Sequence, residues 1–308
     1  MRTSIEWAAG CADGREGHSI NPFRARLKDR GWRVSAGNPD PLVGHHCVKI
    51  SPGCANCYAS ELQKRFRMPD FGSNRWRWAE PLVELFLDES KLQEVLRRRK
   101  PTGYFWCDMT DMFLDEYPNE WIDKCFAVME QTSQHIHMVL TKRPERMHRY
   151  VTEDRNFIHI KGERLGGLKW PLPNVYLGVS TENQKYADER IPPLLDTPAA
   201  IRFVSYEPAL GPIDIKEILL GMTSCHRPDW LIFGGESGPN ARPCNIQWAR
   251  DVRDQCKAAG TAFFLKQMGA RPYEDMGFDD LHYLRFKDRK GGDPAEWPEE
   301  DRVREFPR

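Results

Sequence analysis

Residues 104–143 read YFWCDMTDMFLDEYPNEWIDKCFAVMEQTSQHIHMVLTKR, and in them two short apolar runs flank a helical pattern. The runs are Tyr104–Cys107 and Ile136–Leu140. Between them, apolar residues recur at i, i+3, i+4 and i+7 and share one helix face: Ile122, Cys125, Phe126 and Met129. The order strand, helix, strand is the repeating unit of a parallel sheet that is buried on both faces.

The same alternation continues along the rest of the chain. Further strands are predicted at His46–Ile50, Val175–Val179, Ile201–Val204, Trp230–Phe233 and Ala262–Leu265. Helices are predicted at Glu84–Arg99, Ile122–Gln131 and Ile246–Ala259, and YASELQKRF predicts a helix start at Tyr58. This pattern predicts an α/β fold, a full or partial parallel (β/α) barrel, with a doubly wound open sheet as the alternative.

Three regions follow from this pattern. The barrel is predicted at residues 44–268, and it includes a cysteine-rich loop. Residues 1–43 are Gly- and charge-rich and are interpreted as an N-terminal segment or insertion. Residues 269–308 are interpreted as a loop-rich C-terminal extension.

Composition excludes some classes of protein. The chain has 308 residues and a formal net charge of zero, so there is no global electrostatic signature for nucleic acid or membranes. No apolar run approaches the roughly 20 residues that span a bilayer, and the N-terminus has no apolar signal-peptide core. We therefore expect a cytoplasmic protein without a membrane partner. A local basic and aromatic stretch, RFRMPDFGSNRWRW at Arg65–Trp78, is a candidate nucleic-acid contact.

Three of the nine cysteines are closely spaced, as C-x6-C-x2-C in CVKISPGCANC. The turn Ser51–Gly53 allows Cys47, Cys54 and Cys57 to face a common centre, and soft thiolates select zinc or an iron–sulfur cluster. A zinc site needs a fourth ligand, for which His45 or His46 is adjacent. A four-iron, four-sulfur cluster on three cysteines leaves one iron open to an external ligand.

Polar or ionisable residues follow every predicted strand. Because the carboxyl ends of the strands of a β/α barrel meet at one face, these side chains are expected to surround one large polar ligand. The glycines of GGESGP permit close backbone approach to that ligand, and Arg242 is a candidate for binding a carboxylate or phosphate. The residues at the strand ends include Asp108, Asp111, Lys142, Arg143, Ser180, Glu182, Ser205, Glu207, Glu236, Ser237, Lys266 and Gln267.

Eight segments, in one order over nearly the whole chain, resemble the bacteriophage-associated three-cysteine-motif proteins, a family regarded as radical S-adenosylmethionine-like. In this sequence they are SIEW, VKISPGCANCYA, LTKRPERM, NVYLGVSTEN, FVSYEPALGPID, WLIFGGESGPNARP, FFLKQMG and GGDPAEWPEEDRVREFP. Two features depart from the expected patterns: the long segment Ala8–Val43, and a first cysteine gap longer than the C-x3-C-x2-C usual in radical S-adenosylmethionine enzymes.

The resemblance implies a [4Fe-4S] cluster on Cys47, Cys54 and Cys57, with S-adenosyl-L-methionine on the open iron. One electron, from a donor such as flavodoxin or ferredoxin, would cleave that cofactor and generate a 5′-deoxyadenosyl radical. We predict that the cofactor contacts Asp108, Asp111, Ser180, Glu182 and Glu207. We predict that the substrate contacts Glu236, Ser237, Lys266, Gln267, Lys142 and Arg143.

The resemblance supplies no substrate. Phage association favours a nucleotide or nucleic-acid base, as in phage-type DNA modification, and then places the protein in the host-cell cytoplasm. The competing interpretation is a zinc-stabilised nucleic-acid-binding protein without catalysis. Metal content separates the two, because the first requires iron and sulfide and the second requires zinc.

Overall fold

A seven-stranded parallel sheet forms the centre of the fold. The computed structural model describes residues 5–9, 13–27, 43–65, 83–153, 157–160, 163–166, 170–220, 227–277 and 280–308. The strands are β1 (Glu16–Ile20), β2 (Phe23–Leu27), β3 (Val43–Gly44), β4 (Val83–Leu87), β5 (Thr102–Trp106), β6 (Ile136–Thr141), β7 (Phe157–Ile160), β8 (Glu163–Gly166), β9 (Val175–Thr181), β10 (Ile201–Tyr206), β11 (Trp230–Gly234), β12 (Cys244–Asn245), β13 (Ala262–Gln267), β14 (Pro272–Asp275) and β15 (Leu281–Tyr283). The helices are α1 (Tyr58–Arg65), α2 (Glu89–Arg97), α3 (Asn119–Gln131), α4 (Pro144–Thr152), α5 (Gln184–Leu195), α6 (Lys216–Leu220) and α7 (Ile246–Ala259), and 3-10 helices lie at Glu6–Ala9, Pro52–Cys54, Pro294–Glu296 and Glu299–Asp301.

The strand order of the large sheet is β1-β5-β6-β9-β10-β11-β13, and every neighbouring pair is parallel. The order follows the chain without reversal, which is typical of a barrel and differs from a doubly wound sheet. In the described part of the chain β1 and β13 do not pair with each other, so the barrel is partial. The predicted α/β fold, a partial parallel (β/α) barrel, is confirmed.

Six of the predicted strands are confirmed, as β5, β6, β9, β10, β11 and β13. Each is buried on both faces and therefore gives a near-continuous apolar run in the sequence. The predicted helix at Ile246–Ala259 is α7, which ends where Gly260 adopts a positive φ of 70°. The helix predicted from Tyr58 is α1.

The predicted strand at His46–Ile50 is wrong. His46–Ile50 belongs to no strand, and the chain there leads from β3 into the cysteine loop. The first strand of the large sheet is instead β1, which pairs with β5 and lies within the segment 1–43. Its sequence, EGHSI, is that of a half-buried edge strand and lacks the apolar run on which the prediction depended. The predicted region boundaries stay predictions.

The helix predicted at Glu84–Arg99 is partly wrong, because its first residues form β4, which pairs with β2. The helix α2 begins only after Asp88, whose side chain accepts a hydrogen bond from the Ser90 N–H at 3.1 Å. This side chain is the N-cap that separates strand from helix. An alternating and a helical apolar pattern meet at this residue, so the sequence alone shows no boundary between them.

The two faces of the large sheet bury different side chains, because successive residues of a strand point to opposite faces. One face packs a mixture of aliphatic and aromatic residues against the helices, including the predicted apolar face of α3. The other carries an aromatic cluster in which Trp7, from the first 3-10 helix, packs on Phe105 with ring centroids 4.8 Å apart. We call this the inner face. Two residues further along β10 and β13, the same face presents Ser205 and Lys266, so polar groups stand above an aromatic floor.

The C-terminal residues cover the outer edge of β13. Val303 accepts a hydrogen bond from the Leu265 N–H at 2.8 Å, and the Glu305 N–H donates to Phe263 at 2.9 Å. Phe264 and Arg304 form an antiparallel bridge between them. An uncovered edge strand can pair with a strand of another chain. The C-terminal residues cover the edge of β13 and prevent such pairing.

No helix in the described residues combines the length and the apolar character needed to cross a membrane.

His137 is buried in the core as part of a hydrogen-bond chain. Trp106 Nε1 donates to His137 Nδ1 at 3.0 Å, so His137 Nε2 carries the proton that faces Thr132 Oγ1 at 2.9 Å. The Thr132 hydroxyl in turn donates to the Val128 carbonyl at 2.7 Å. Burial, followed by the nearby His135, lowers the pKa of His137 to about 3. This series of hydrogen bonds requires the neutral form of the His137 imidazole, because Nδ1 must accept a hydrogen bond.

We expect the free energy of unfolding to decrease as the pH is lowered. The unfolded chain protonates His137 near its ordinary pKa, whereas the folded chain does not. The contribution is complete above about pH 6.5 and is lost between there and about pH 3. Between pH 7 and pH 5 it amounts to about 2 kcal/mol of unfolding free energy. His137→Gln should be less stable at pH 7 but lose about 2 kcal/mol less than wild type over this interval in urea unfolding.

The control is His282→Gln, because His282 lies at the surface with a side chain 65% exposed. Its pH dependence should match that of wild type. A His137→Gln variant with the wild-type pH dependence would show that His137 does not resist protonation in the folded state.

Candidate functional site

A cavity of about 260 Å³ lies at the carboxyl ends of the parallel strands. The cysteine loop and the residues that follow six strands of the large sheet line it together, as the barrel prediction expects. Of the residues predicted to bind metal, cofactor or substrate, Glu182 and the candidate Arg242 do not line it. The others that do are Cys47, Cys54, Cys57, Asp108, Asp111, Lys142, Arg143, Ser180, Glu207, Glu236, Ser237, Lys266 and Gln267.

The cysteine loop makes a tight turn over the cavity. The Cys54 N–H donates to the Ser51 carbonyl at 2.9 Å, and Pro52–Cys54 forms one turn of 3-10 helix before α1 begins. Gly53 is buried in this turn, and a Cβ there would lie 2.6 Å from Oε1 of Glu182. The loop can therefore approach the barrel only with glycine at this position.

Glu182 connects the barrel to the loop from below. Its Oε1 accepts hydrogen bonds from Ser51 Oγ at 2.6 Å and Lys142 Nζ at 2.5 Å. Its Oε2 accepts one from Arg190 Nη1 at 3.1 Å. The Glu182 side chain has no exposed surface, and the Arg190 side chain is 5% exposed. Such a buried carboxylate requires its two cationic partners.

Lys142 also reaches the central cysteine. Its Nζ lies 3.6 Å from Cys54 Sγ and 3.0 Å from Ser51 Oγ. Burial raises the pKa of the Cys54 thiol, but the Lys142 ammonium and hydrogen bonds from Ile50 and Ser51 outweigh it, and the pKa lies below its usual value. The thiolate, the form that binds metals, is thus favoured at Cys54 relative to an ordinary cysteine.

A second connection runs from Asp111 through Arg143 to the first part of the loop. Arg143 Nη1 donates to Asp111 Oδ2 at 2.9 Å, and Arg143 Nη2 donates to the Val48 carbonyl at 3.1 Å. Asp111 Oδ1 accepts from Thr141 Oγ1 at 2.7 Å. Burial, followed by the Asp111 carboxylate, raises the pKa of Cys47. The pKa of Cys47 is therefore shifted in the opposite direction from that of Cys54.

A third connection holds the loop from the far side of the cavity. Glu236 Oε2 accepts a hydrogen bond from Asn56 Nδ2 at 3.1 Å, and Arg242 binds both Glu236 oxygens through Nε at 2.9 Å and Nη2 at 2.5 Å. Burial opposes ionisation of Glu236, but hydrogen bonds from Arg242 and Asn56 lower its pKa below the ordinary value. Glu236 therefore pairs with Arg242, whereas Lys142 pairs with Glu182.

The remaining lining residues form short polar pairs. Lys266 Nζ lies 2.8 Å from Glu207 Oε1, and Ser205 Oγ donates to Glu207 Oε2 at 3.1 Å. Ser180 Oγ donates to the Glu207 carbonyl at 3.1 Å. Gln267 Nε2 donates to the Gly235 carbonyl at 2.8 Å.

Asp108 reaches the cavity from a strained turn after β5. Cys107, which is not glycine, adopts a positive φ of 61°. Asn21 Nδ2 donates to Asp108 Oδ1 at 2.5 Å, and the Tyr58 hydroxyl donates to the Asp108 carbonyl at 2.5 Å. Burial raises the pKa of Asp108, although hydrogen bonds oppose the shift.

The arrangement of the thiols distinguishes two kinds of metal site. Among the described residues, no group of three or more His, Cys, Asp or Glu is arranged to hold a metal ion. His45 Nδ1 donates to the Phe23 carbonyl at 3.1 Å, and His46 faces Glu116 at 3.8 Å. A single zinc ion needs four ligands around one point, whereas each cysteine of a cluster binds a different iron. The three thiols line one cavity, and neither histidine joins them in a four-ligand set within the described residues.

Several supporting residues escaped the sequence analysis. Ser51 was noted only as part of a turn, and Asn56, Arg190 and Asn21 were not singled out. Each is a single polar residue in a loop or helix. Its hydrogen-bond partner is distant in the sequence and becomes visible only in the folded structure. Asn56 stands between Cys54 and Cys57 of the cysteine motif, which is the one signal that the sequence offers. Arg65–Trp78 lies, apart from Arg65, outside the described residues.

We expect Glu182→Gln to lower the free energy of unfolding by about 3 kcal/mol, because it leaves two cations without their counter-ion. The matched control is Glu189→Gln on the same helix as Arg190, where the Lys185–Glu189 pair is 3.8 Å apart and exposed. That variant should change stability by no more than about 0.5 kcal/mol. Urea unfolding at pH 7 measures both, and equal effects would contradict the supporting role of Glu182.

Comparison with known proteins gives a family but no activity. Spore photoproduct lyase is similar in two solved structures, a variant at 12% identity with a TM-score of 0.38 and a complex with dinucleoside spore photoproduct at 11% and 0.37. Each alignment covers 84% of this chain and 73% of that chain. No curated protein sequence matches. The family described as "Protein of unknown function (DUF5131)" matches residues 37–293, and because this is most of its length, the chain belongs to that family.

Proposed function

We propose that the chain is a radical S-adenosylmethionine enzyme in which Cys47, Cys54 and Cys57 hold a [4Fe-4S] cluster. One observation carries the proposal: three cysteines of a single loop line the same cavity that collects the polar ends of the barrel strands. The sequence resemblance to radical S-adenosylmethionine-like proteins supports it independently. When bound, the cluster supplies one electron for reductive cleavage of S-adenosyl-L-methionine and so for hydrogen abstraction from an unactivated carbon.

The protein's own residues hold the loop that would carry the cluster. Lys142 places a positive charge 3.6 Å from Cys54 Sγ, which favours the thiolate and balances the negative charge of a ligated cluster. Arg143 holds the Val48 carbonyl, and Glu236 holds Asn56. The loop is therefore fixed at both ends before any metal binds, which limits the entropy lost on binding.

The predicted cofactor residues divide into two groups. Asp108, Ser180 and Glu207 line the cavity, and carboxylates of this kind suit ribose hydroxyls. We assign S-adenosyl-L-methionine to these three. Glu182 has no exposed surface, and both Asp111 oxygens accept protein hydrogen bonds. We therefore assign Glu182 and Asp111 to holding Lys142 and Arg143 in place.

The predicted substrate residues divide in the same way. Ser237 and Lys266 line the cavity, and Lys266 can exchange its Glu207 partner for a phosphate. Glu236 and Gln267 already bind protein groups and are assigned to shaping the site. We propose a nucleotide or nucleic-acid base as the substrate, as in phage-type DNA modification, with flavodoxin or ferredoxin as electron donor in the cytoplasm.

The alternative, a zinc-stabilised nucleic-acid-binding protein, is less well supported. It requires a fourth zinc ligand, for which His45 and His46 are the candidates in the sequence. Burial lowers the pKa of His45 to about 4, and its Nδ1 proton is already donated to a backbone carbonyl of the small sheet. His46 lies beside Glu116. Neither side chain is positioned toward the three thiols as one tetrahedral set.

We expect anaerobic reconstitution with iron and sulfide to give a broad visible absorption and about four irons per chain. Alanine at Cys47, Cys54 or Cys57 should each abolish it, because three ligands are the minimum for this cluster. The controls are Cys125→Ala and Cys256→Ala, which remove thiols buried in the core and should retain the full iron content. Reductive cleavage of S-adenosyl-L-methionine by dithionite-reduced protein should follow the iron content.

Two results would overturn the proposal. Stoichiometric zinc in place of iron, retained after the iron treatment, would favour the nucleic-acid-binding alternative. An iron content equal to wild type in the Cys54→Ala variant would show that the cysteine loop is not the ligand set.

A further inference from the structure

Five cations form an exposed surface beside the cavity, which we call the cationic rim: Arg271, Arg285, Lys287, Arg289 and Lys290. None of them forms an ion pair with another residue in the described part of the chain, although the protein as a whole is neutral. The surface is therefore a local concentration of positive charge that the fold leaves uncompensated. Such a surface attracts anions.

Two acidic residues of this loop, Asp288 and Glu296, bind backbone N–H groups of the loop itself. Asp288 Oδ2 accepts a hydrogen bond from the Gly292 N–H at 2.6 Å. Glu296 Oε2 accepts hydrogen bonds from the N–H groups of Lys287 at 2.7 Å and Asp288 at 3.3 Å. These carboxylates order the loop from inside. The basic side chains, which alternate with them in the sequence, are left facing solvent.

The rim is fixed directly against the wall of the cavity. The Gly269 N–H donates to the Lys290 carbonyl at 3.0 Å, and the Met268 N–H donates to the Gly291 carbonyl at 2.9 Å. Gly235, which lines the cavity, packs so closely on Met268 that a Cβ would lie 2.3 Å from its carbonyl oxygen. A ligand on the rim can therefore continue into the cavity.

An aromatic side chain accompanies the charges. Tyr283 is 42% exposed, and its ring lies 5.8 Å from Tyr273 and 5.7 Å below the Arg271 guanidinium. Cations that follow a phosphate backbone, together with an exposed ring on which an unpaired base can stack, are the two elements of single-strand recognition.

We propose that the cationic rim binds the phosphate backbone of a single-stranded nucleic acid, so that the substrate of the cavity is a base within a strand and not a free nucleotide. The inference rests on the proposed function, which it deepens by naming the substrate class. A free nucleotide carries its phosphates into the cavity and leaves five cations outside it without a ligand. A strand places phosphates along the rim while one base enters the cavity.

The test is fluorescence anisotropy with a labelled 20-nucleotide single-stranded DNA of mixed sequence, titrated with full-length protein at several salt concentrations. The rim variant carries Lys287→Gln, Arg289→Gln and Lys290→Gln. The control variant carries Arg99→Gln, Lys216→Gln and Lys257→Gln, an equal loss of exposed charge on other parts of the surface. Circular dichroism confirms that both variants fold.

The rim variant should bind on the order of a hundredfold more weakly at 0.1 M salt, and its salt slope should fall by about 2, because each phosphate contact contributes about 0.7. The control variant should match wild type. Tyr283→Ala should weaken binding without changing the salt slope, whereas Tyr283→Phe should retain it. Excess mononucleotide should not displace the strand from the rim.

Absence of strand binding by the wild type, or equal weakening in the rim and control variants, would overturn the inference. Iron content and dithionite-driven cleavage of S-adenosyl-L-methionine, measured on the same variants, report on the proposed function separately. A rim variant that keeps both and loses strand binding supports the inference. Loss of both in the wild type would instead contradict the proposed function.

Discussion

The fully buried carboxylate of Glu182 is the interaction on which the site depends. It stands at the end of β9 and binds Arg190 on one side and Lys142 with Ser51 on the other. An unpaired charge at this depth would cost several kcal/mol in desolvation free energy. The folded structure therefore requires the partners of Glu182 to stay in place. Through them the rigid sheet determines where the cysteine loop lies. Gly53 completes the contact, because a side chain there would separate loop from barrel.

The fold was predictable where burial leaves a simple pattern. Strands covered on both faces must be apolar along their length, and β5 to β13 of the large sheet were found for that reason. β1 was missed because an edge strand with the sequence EGHSI needs no such run. The error at His46–Ile50 has the opposite cause: Val48 and Ile50 are apolar but 37% and 39% exposed, so their pattern does not report burial.

The sequence predicted where the candidate site lies better than it predicted what each residue does there. The rule that polar residues at parallel strand ends converge brought Asp108, Lys142 and Glu207 to one cavity, as expected. It could not separate side chains that face the cavity from those that hold others in position, because that depends on partners distant in sequence. Arg242 illustrates the limit: it does bind a carboxylate bidentately, but the carboxylate is that of Glu236 within the protein.

The packing of Trp7 on the inner face has a consequence for the order in which the molecule assembles. Its ring contacts Phe203 and Trp230, which stand late in the chain, whereas each strand–helix–strand unit makes contacts that are local in sequence. Closing so long a loop costs little more free energy than closing a moderate one, since each doubling of length adds only about 0.6 kcal/mol. These contacts do, however, give the inner face a larger mean sequence separation between contacting residues than the helix-covered face has. The helical layer can therefore form early, while the aromatic floor beneath the cavity completes only when both ends of the sheet are present.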